Sequence, residues 1–376
     1  MQAQGGLRGE TGTVPVRIVH AADFHLDSAF GALSAEQSRL RRRESRTAAE
    51  RLANYVNQNE IDIVLLPGDL FDGEEIYRET AETLLAALGS MRAQVFIAPG
   101  NHDCCVPSSP YMTLQWPGNV HIFRMGSMER VELPALGCAV YGAAFTQREQ
   151  ETSLLASFRA PDDGLVHLGV LHADLMGAEA RYDPITRAEI AASGLDYLAL
   201  GHVHECSGVQ RAGGTAYAYC GCLEGRGFDE LGARGFLTGT VDCGSVQLDF
   251  VPFARRRYEL RTVDITGKTP EAALREALSE DTARDLYRIV LTGETDERGV
   301  DLPALYERFA PDFFRLELRD RTRLGEDIWA RAEEDSLRGE FLRALRASYA
   351  GASEKERGAI ERAARFGLAA LDHRDL

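Results

Sequence analysis

The chain has 376 residues, of which 44% are hydrophobic and 27% charged, a composition ordinary for a globular protein. At roughly 150 residues per domain, this length predicts two or three domains. The net charge of −16 argues against a protein that binds nucleic acid through bulk charge alone. Because the sequence contains no run of about 18 apolar residues, no membrane partner is expected.

The first segment, residues 1–14, is polar and rich in glycine, and we expect it to be a disordered leader. It lacks the apolar core of a secretory signal, and the seven cysteines include no CxxC pair. These features predict a cytoplasmic protein with reduced thiols. Cys104 and Cys105 directly follow a motif described below, so oxidative inactivation is a further hypothesis.

Residues 15–255 contain short apolar runs that alternate with segments of helical periodicity. Strand–helix–strand alternation predicts an α/β sheet with helices packed on it. Later runs, joined by turns, are typical of an antiparallel meander, so we expect a sheet that is mixed or doubled into a sandwich. The five runs of the first kind are VRIVHAA (16–22), IDIVLL (61–66), QVFIA (94–98), LVHLGVL (165–171) and DYLALG (196–201).

The pattern of strands and helices restarts after residue 255. Residues 256–330 have the strand and helix candidates of a smaller α/β domain, with Thr269 as an N-cap and Pro270 as the first helical residue. Residues 331–376 form a helical tail with amphipathic helices at about 336–350 and 354–371. These helices either dock on a partner or pack on the small domain of this chain.

Arginine is concentrated in two clusters, RLRRRESR (39–46) and ARRRYELR (254–261). Either cluster could hold phosphates through its guanidinium groups. A solvated helix face for the first cluster and a domain-linking strand for the second are at least as well supported.

Each of the five apolar runs ends in polar residues of one chemical kind. Functional groups collect at the carboxyl ends of the strands of an α/β sheet, so five strand ends in one sheet can point into one cleft. Carboxylates, an amide and imidazoles suit divalent metals such as manganese, iron or zinc. Their number predicts two ions that share one carboxylate. The residues are Asp23, His25, Asp69, Asn101, His172, His202 and His204.

A structural role competes with the metal site for each residue taken alone. A lone histidine at a strand end is more often structural than a ligand, and we assign His20, His121 and His167 to structural roles. An aspartate there could cap the following helix. Five strand ends that all carry ligand-type residues by chance are improbable, so the whole set predicts a metal site.

In chain order these residues form five blocks: D-x-H at 23–25, G-D at 68–69, G-N-H-D at 100–103, an isolated His172, and G-H-x-H at 201–204. In this order they resemble the signature of the calcineurin-like metallophosphoesterases. HAADFHLDSAF (20–30) and GDLFD (68–72) further resemble the DNA-repair nucleases of the SbcD and YhaO type.

The resemblance implies an α/β (α+β) fold in which a double-sheet sandwich is flanked by helices. Residues 15–255 would be the catalytic domain and residues 256–330 a capping domain. The tail, residues 331–376, would be a region for docking a partner.

The resemblance also implies a role for each matching residue. The residues expected to hold the first metal are Asp23, His25 and His204. Those expected to hold the second are Asn101, His172 and His202. Asp69 would bridge the two ions. His102 would face the scissile phosphate, and Asp103 would orient its imidazole. Asp72 stands where archaeal and eukaryotic relatives carry a second active-site histidine.

The implied function is a two-metal-dependent phosphodiesterase acting on DNA, an exonuclease of DNA repair that uses a hydroxide bridging the metals. Manganese is the favoured metal, and iron, zinc and magnesium stay open. The implied partners are DNA and an SMC-like coiled-coil ATPase, and a homodimer stays open. Two alternatives also stay open: a small-molecule or cyclic-nucleotide phosphodiesterase, and a non-catalytic scaffold for the ATPase.

Overall fold

The structure, a computed structural model, describes residues 15–73, 75–175, 181–278 and 282–371. The chain divides between Arg255 and Arg256 into two compact units, which are described separately. The leader expected at residues 1–14 lies outside the described residues. Within the described ranges, no helix combines the length and the apolar composition that a membrane span requires.

The first unit is built on two sheets with helices on their outer faces. Its described strands are β1 (Val16–His20), β2 (Ile63–Leu66), β3 (Gln94–Ile97), β4 (Val120–Ile122), β5 (Glu129–Leu133), β6 (Cys138–Gly142), β7 (Val166–His172), β8 (Tyr197–Gly201), β9 (Gln210–Ala212), β10 (Thr215–Tyr219), β11 (Gly235–Asp242) and β12 (Ser245–Pro252). Its described helices are α1 (Ala35–Gln58), α2 (Arg78–Gly89), α3 (Pro110–Thr113) and α4 (Arg187–Ala192).

One sheet has the strand order β12-β11-β1-β2-β3-β4 and the other β5-β6-β7-β8-β10-β9. Parallel pairs, such as β1 with β2, form the centre of each sheet, and antiparallel pairs, such as β11 with β12, lie at three of the four edges. The two packed sheets with flanking helices confirm the predicted fold class. The prediction that the five apolar runs lie in one sheet is wrong, because β1, β2 and β3 belong to the first sheet and β7 and β8 to the second.

Both faces of the central strands are buried over most of their length, which explains why these strands are mostly apolar. In β1, Val16 and Ile18 pack into the core between the two sheets, whereas Val19 packs into the core beneath the helices. This alternation is the two-residue period of a strand. The core between the sheets also contains Leu65 from the first sheet and Leu168 from the second.

Helix α1 begins at a capping box, in which Ser34 and Gln37 satisfy each other's backbone N–H groups. Its residues Ala48, Leu52 and Val56 recur at intervals of four and are buried. The arginine cluster at 39–46 lies within this helix and is only partly a solvated face, since Arg41 is fully buried.

Arg41 belongs to an ion-pair network that ties helix α1 to the turn after β10. Its guanidinium lies 2.7 Å from the carboxylate of Glu44 and 3.3 Å from that of Glu224. Arg51 pairs with Glu224 at 2.7 Å, and the backbone N–H of Arg255 donates to the same carboxylate. Two guanidinium groups therefore share the carboxylate of Glu224.

The second unit is a smaller α/β structure. Its described strands are β13 (Tyr258–Asp264), β14 (Leu286–Thr292), β15 (Glu294–Thr295), β16 (Arg315–Asp320) and β17 (Arg323–Leu324). Its described helices are α5 (Pro270–Ala277), α6 (Leu302–Phe309), α7 (Glu326–Ala330), α8 (Leu337–Tyr349) and α9 (Glu354–Leu371). Strands β13, β14 and β16 form a parallel sheet. The Thr269 hydroxyl accepts a hydrogen bond from Ala272 N–H, so it caps α5 as expected.

Helices α8 and α9 use part of their apolar faces within this unit. Leu342, Ala364 and Leu368 are buried in one cluster with residues of the preceding segment. Leu337 and Phe366 are exposed by 72% and 63%. The tail therefore packs on its own unit and also presents apolar side chains to solvent.

We predict that Glu224→Ala lowers the free energy of unfolding of the first unit by about 3–5 kcal/mol, because two guanidinium groups lose their shared carboxylate. The two tryptophans, Trp116 and Trp329, lie one in each unit. Denaturation of the full chain in a Trp329→Phe background, followed by tryptophan emission, therefore reports on the first unit.

The matched control is Glu205→Ala, which removes an exposed glutamate of the same unit and is expected to change this free energy by less than about 0.5 kcal/mol. Equal stabilities of the two variants would contradict the prediction.

Candidate functional site

The five strand ends meet at one edge of the sandwich, although they come from two sheets. A bridge between Ala22 and Cys222 and hydrogen bonds from Asp23 and His25 N–H to the segment at 68–69 hold the loops together. The two sheets join across the site, where the backbone N–H of His202 donates to both carboxylate oxygens of Asp23, at 3.1 and 3.2 Å. All five blocks therefore contribute to one cluster.

Three groups of potential ligand atoms overlap in this cluster, and the third consists of His25, Asp72 and His102. In the first, one ligand atom each from Asp23, His25 and His204 lie within 4.8 Å of one another, and in the second those of Asp23, Asp69 and His172 do so. Nε2 of His172 also lies 2.8 Å from Oδ1 of Asn101. The groups contain most of the residues that the sequence predicts as ligands.

Asp69 belongs to the second group and also lies close to His25 of the first. Its Oδ2 is 3.6 Å from Nε2 of His25 and 3.6 Å from Nε2 of His172. Its Oδ1 accepts a hydrogen bond from the backbone N–H of His102. This position fits a carboxylate that bridges two ions, and the bridging role stays a prediction.

The hydrogen bonds of the histidine rings determine which nitrogen carries the proton. Nδ1 of His25 lies 3.2 Å from a carboxylate oxygen of Asp72, Nδ1 of His204 lies 2.8 Å from one of Glu230, and Nδ1 of His172 lies 3.0 Å from the carbonyl oxygen of Pro67. Carboxylates and carbonyls only accept hydrogen bonds, so each Nδ1 is placed to donate, and a ring that carries no second proton presents a lone pair at Nε2.

These lone pairs face one another. Nε2 of His25 and Nε2 of His204 are 3.1 Å apart, and Nε2 of His172 faces the acceptor oxygen of Asn101. Burial lowers the pKa of His25 to about 3 and that of His172 to about 4, so each of these two rings presents a lone pair near neutral pH. A cation that accepts both lone pairs removes the repulsion. The donor set therefore fits divalent metals.

The two central carboxylates are almost completely buried. Burial, followed by the charge of Asp69, raises the pKa of Asp23 well above its usual value. Burial, followed by the charge of Asp103, raises the pKa of Asp69 to about 7. Two neighbouring carboxylates that are shielded from solvent repel each other, and a bound cation would offset this repulsion.

Backbone strain is concentrated at the same residues. A positive φ is uncommon outside glycine, and where it occurs it clusters at functional sites. Gly68 has φ +84°, which suits glycine, but the aspartate after it also has a positive φ. The potential ligands with positive φ are Asp23 (53°), His25 (42°), Asp69 (51°) and His202 (100°).

His202 lies beside the second group. Its ring centroid is 5.1 Å from that of His172 and 5.1 Å from that of Tyr182. Burial lowers its pKa to about 4. Gly201 before it allows a close approach of two loops, since a Cβ there would lie 1.8 Å from the carbonyl oxygen of Pro67.

His102 and Asp103 have different surroundings. The His102 side chain is 45% exposed, and its ring packs edge-on against that of His25 at 4.8 Å between centroids. The Asp103 carboxylate is fully buried and accepts hydrogen bonds from Leu70 N–H, Gly100 N–H and the Tyr111 hydroxyl.

Asp103 thus stabilises two loops of the site, and its described hydrogen bonds do not include the imidazole that it was expected to orient. A carboxylate oxygen of Asp72 lies 3.9 Å from Nδ1 of His102. The structural assignment of His20 agrees with its position, because it is fully buried and hydrogen-bonded to Tyr197 and to the Leu200 carbonyl.

Sequence reasoning missed Glu230 and Arg226, which lie in the turn after β10. Burial alone would raise the pKa of Glu230, but the hydrogen bond from His204 and the charge of Arg226 outweigh it and lower this pKa to about 2. Arg226 also lies 3.2 Å from Asp72. It therefore links the carboxylates that orient His25 and His204. The only signal in the sequence is a charged run, EGRGFDE (224–230), within a turn rich in glycine.

The comparisons with known proteins agree with this arrangement. The family model of the calcineurin-like phosphoesterases matches residues 16–206, a range that contains all five blocks. The chain belongs to this family. The resemblance inferred from the motifs is thereby confirmed. Enzymes of the calcineurin-like phosphoesterase family use divalent metals, in agreement with the candidate ligand groups.

Three relatives in this family are informative. An uncharacterized metallophosphoesterase, YhaO of Bacillus subtilis (strain 168), is 31% identical over 304 residues, which cover 76% of this chain and 74% of the relative. The DNA double-strand break repair protein Mre11 of Methanopyrus kandleri is 26% identical over 336 residues, or 83% and 72% of the two chains. A component of the nuclease SbcCD of Rhodobacter capsulatus is 33% identical over 93 residues, or 23% and 22%.

We predict that Glu230→Ala weakens Mn²⁺ binding at the position of His204 by about 10–100-fold, because the imidazole loses the acceptor that fixes its orientation. Calorimetric titration of the metal-free protein with MnCl₂ measures this loss. Glu230→Gln retains an acceptor oxygen and is expected to restore part of the affinity.

The exposed neighbour variant, Glu205→Ala, serves as the control and is expected to bind Mn²⁺ as the wild type does. Wild-type affinity in Glu230→Ala would show that Glu230 does not position His204.

Proposed function

We propose that this protein is a two-metal phosphodiesterase that cleaves DNA, an exonuclease of DNA repair. The observation that carries the proposal is the convergence of buried carboxylates and Nε2 lone pairs around Asp69. DNA as the substrate is supported by the Mre11 relative, whose similarity covers 83% of this chain, and by the SbcCD component.

When bound, two divalent cations would lower the pKa of a water between them and stabilise the charge of an in-line displacement. Manganese suits the mixture of carboxylate, amide and imidazole ligands. The protein's part is to hold these ligands rigidly. Asp72 and Glu230 fix two imidazoles, and Asp103 fixes the loop that carries Asn101 and His102.

His102 is placed to act on the substrate. Its side chain is more exposed than those of His25, His172 and His204, and its ring adjoins that of His25. An imidazole at the open side of the cluster can contact the scissile phosphate or give a proton to the departing sugar oxygen. Asp72, 3.9 Å from its Nδ1, is the carboxylate suited to hold that proton-bearing ring.

The second unit is proposed as the capping domain (256–330) with a tail (331–376) for docking a partner. An SMC-like ATPase is the partner that the family resemblance suggests, and the exposed side chains of Leu337 and Phe366 support a docking role for the tail. Contact between two copies through these residues would instead give a homodimer.

We predict that His102→Ala retains two metal ions per chain but cleaves DNA about 10²–10⁴-fold more slowly, because a positioned acid is lost. Asp69→Asn is expected to lose both the metal ions and the cleavage, because the shared carboxylate is lost. Degradation of end-labelled linear duplex and single-stranded DNA with Mn²⁺ measures the rates, and elemental analysis measures the metal.

Asp249→Asn, an exposed aspartate on β12, is the control for the charge change and should be as active as the wild type. The ladder of labelled products gives the cleavage polarity. Hydrolysis of a small aryl phosphodiester without any DNA cleavage would contradict the DNA substrate. An absence of turnover with every divalent metal would contradict the enzyme and favour a scaffold.

A further inference from the structure

The second unit contains a groove lined by segment 320–323, the end of α8 and the first half of α9. Its volume of about 1060 Å³ is at the upper limit of the roughly 300–1,000 Å³ of pockets that enclose a drug-sized molecule. Its cationic lining is dense. The exposed cationic side chains of the lining are Arg321, Arg323, Lys355, Arg357 and Arg362.

These five cations have no carboxylate within ion-pair distance among the residues that the structure describes. Two of the three carboxylates of the same lining already have other donors, and the third, Glu354, is exposed. Asp320 accepts from the Thr322 hydroxyl at 2.6 Å and pairs with Arg365 at 3.5 Å. Glu361 accepts from the Tyr349 hydroxyl at 2.6 Å. The groove therefore presents unneutralised positive charge.

This arrangement differs from much of the second unit, where cations commonly pair with carboxylates. Lys268 lies 2.5 Å from Glu276, and Arg288 lies 2.9 Å from Glu317. The whole chain carries 58 acidic and 42 basic residues, so an excess of base does not explain five neighbouring cations that have no described carboxylate partner. Like charges gathered in one groove repel each other, and a bound anion offsets that repulsion.

The chemistry of the lining indicates the kind of anion. Four of the five cations are arginines, whose planar guanidinium groups donate in pairs to phosphate oxygens. The ring of Tyr349 adjoins them, with the Arg357 guanidinium 5.3 Å from its centroid. A positive groove that contains an aromatic ring is typical of sites that follow a nucleic-acid backbone.

An acidic peptide fits the chemistry of this groove less well than a nucleic acid does. Protein interfaces bury an apolar centre, whereas the residues of this lining are polar or charged apart from Tyr349, Ala352 and Gly358. We propose that this groove binds the phosphodiester backbone of DNA. The inference rests on the proposed function, which supplies the DNA, and it adds a contact surface outside the metal cluster.

The test compares two triple charge reversals within the second unit. The groove variant is Arg321→Glu/Arg323→Glu/Arg362→Glu. The matched control is Arg275→Glu/Arg298→Glu/Arg308→Glu, three exposed arginines that do not line the groove and have no described ion pair. Both variants change the net charge by the same amount. Circular dichroism and the thermal midpoint establish that both are folded.

Binding of a fluorescent DNA oligonucleotide is measured by anisotropy in a chelator, at several salt concentrations. The groove variant is expected to bind at least about tenfold more weakly than the control. The slope of its log affinity against log salt concentration should also be smaller in magnitude by about three. Hydrolysis of an aryl phosphodiester with Mn²⁺ should be unchanged in both variants, because the metal cluster is untouched.

Equal DNA affinities of the groove and control variants, with a wild type that cleaves DNA, would overturn the groove inference alone. A wild type that neither binds nor cleaves DNA would overturn the proposed function as well. Loss of binding to a polyglutamate peptide, without loss of DNA binding, would assign the groove to an acidic protein segment and so overturn the proposal.

Discussion

The site depends on one electrostatic constraint: several acceptor groups converge where little water can separate them. Nε2 of His25 and Nε2 of His204 face each other at 3.1 Å, and the carboxylate of Asp69 lies beside them with 2% exposure. Such groups repel unless a cation lies between them. The surrounding fold resists that repulsion through backbone donors to Asp23 and through the carboxylates behind the imidazoles.

The two-sheet architecture makes this convergence possible. Each sheet ends its central parallel strands at the same edge of the sandwich, and each contributes part of the ligand set. The core between the sheets fixes their separation, because side chains such as Ile18 and Leu168 fill it completely. Helix α1 also holds the site in place, because its buried Arg41 donates hydrogen bonds to Glu224 and to the Gly225 carbonyl in the turn that carries Glu230.

The sequence predicted the fold class, the strands that end at the site and the chemical types of their last residues. These features are local: apolar runs, turns and polar residues that follow them directly. The split of the five strands between two sheets was not predictable, because fully apolar strands look alike whichever sheet contains them. Glu230 was also missed, because its partner His204 lies 26 positions away in another loop. The separate role of Asp103 depends on the Tyr111 hydroxyl, a contact that no sequence pattern indicates.

The central claim is that two divalent cations bind on either side of Asp69. Crystals grown with Mn²⁺ and measured at the manganese absorption edge would test it most directly. The account predicts two anomalous peaks, one at His25 and His204 and the other at Asn101 and His172, both in contact with the Asp69 carboxylate. No peak at these residues, or a single peak that does not contact Asp69, would contradict it.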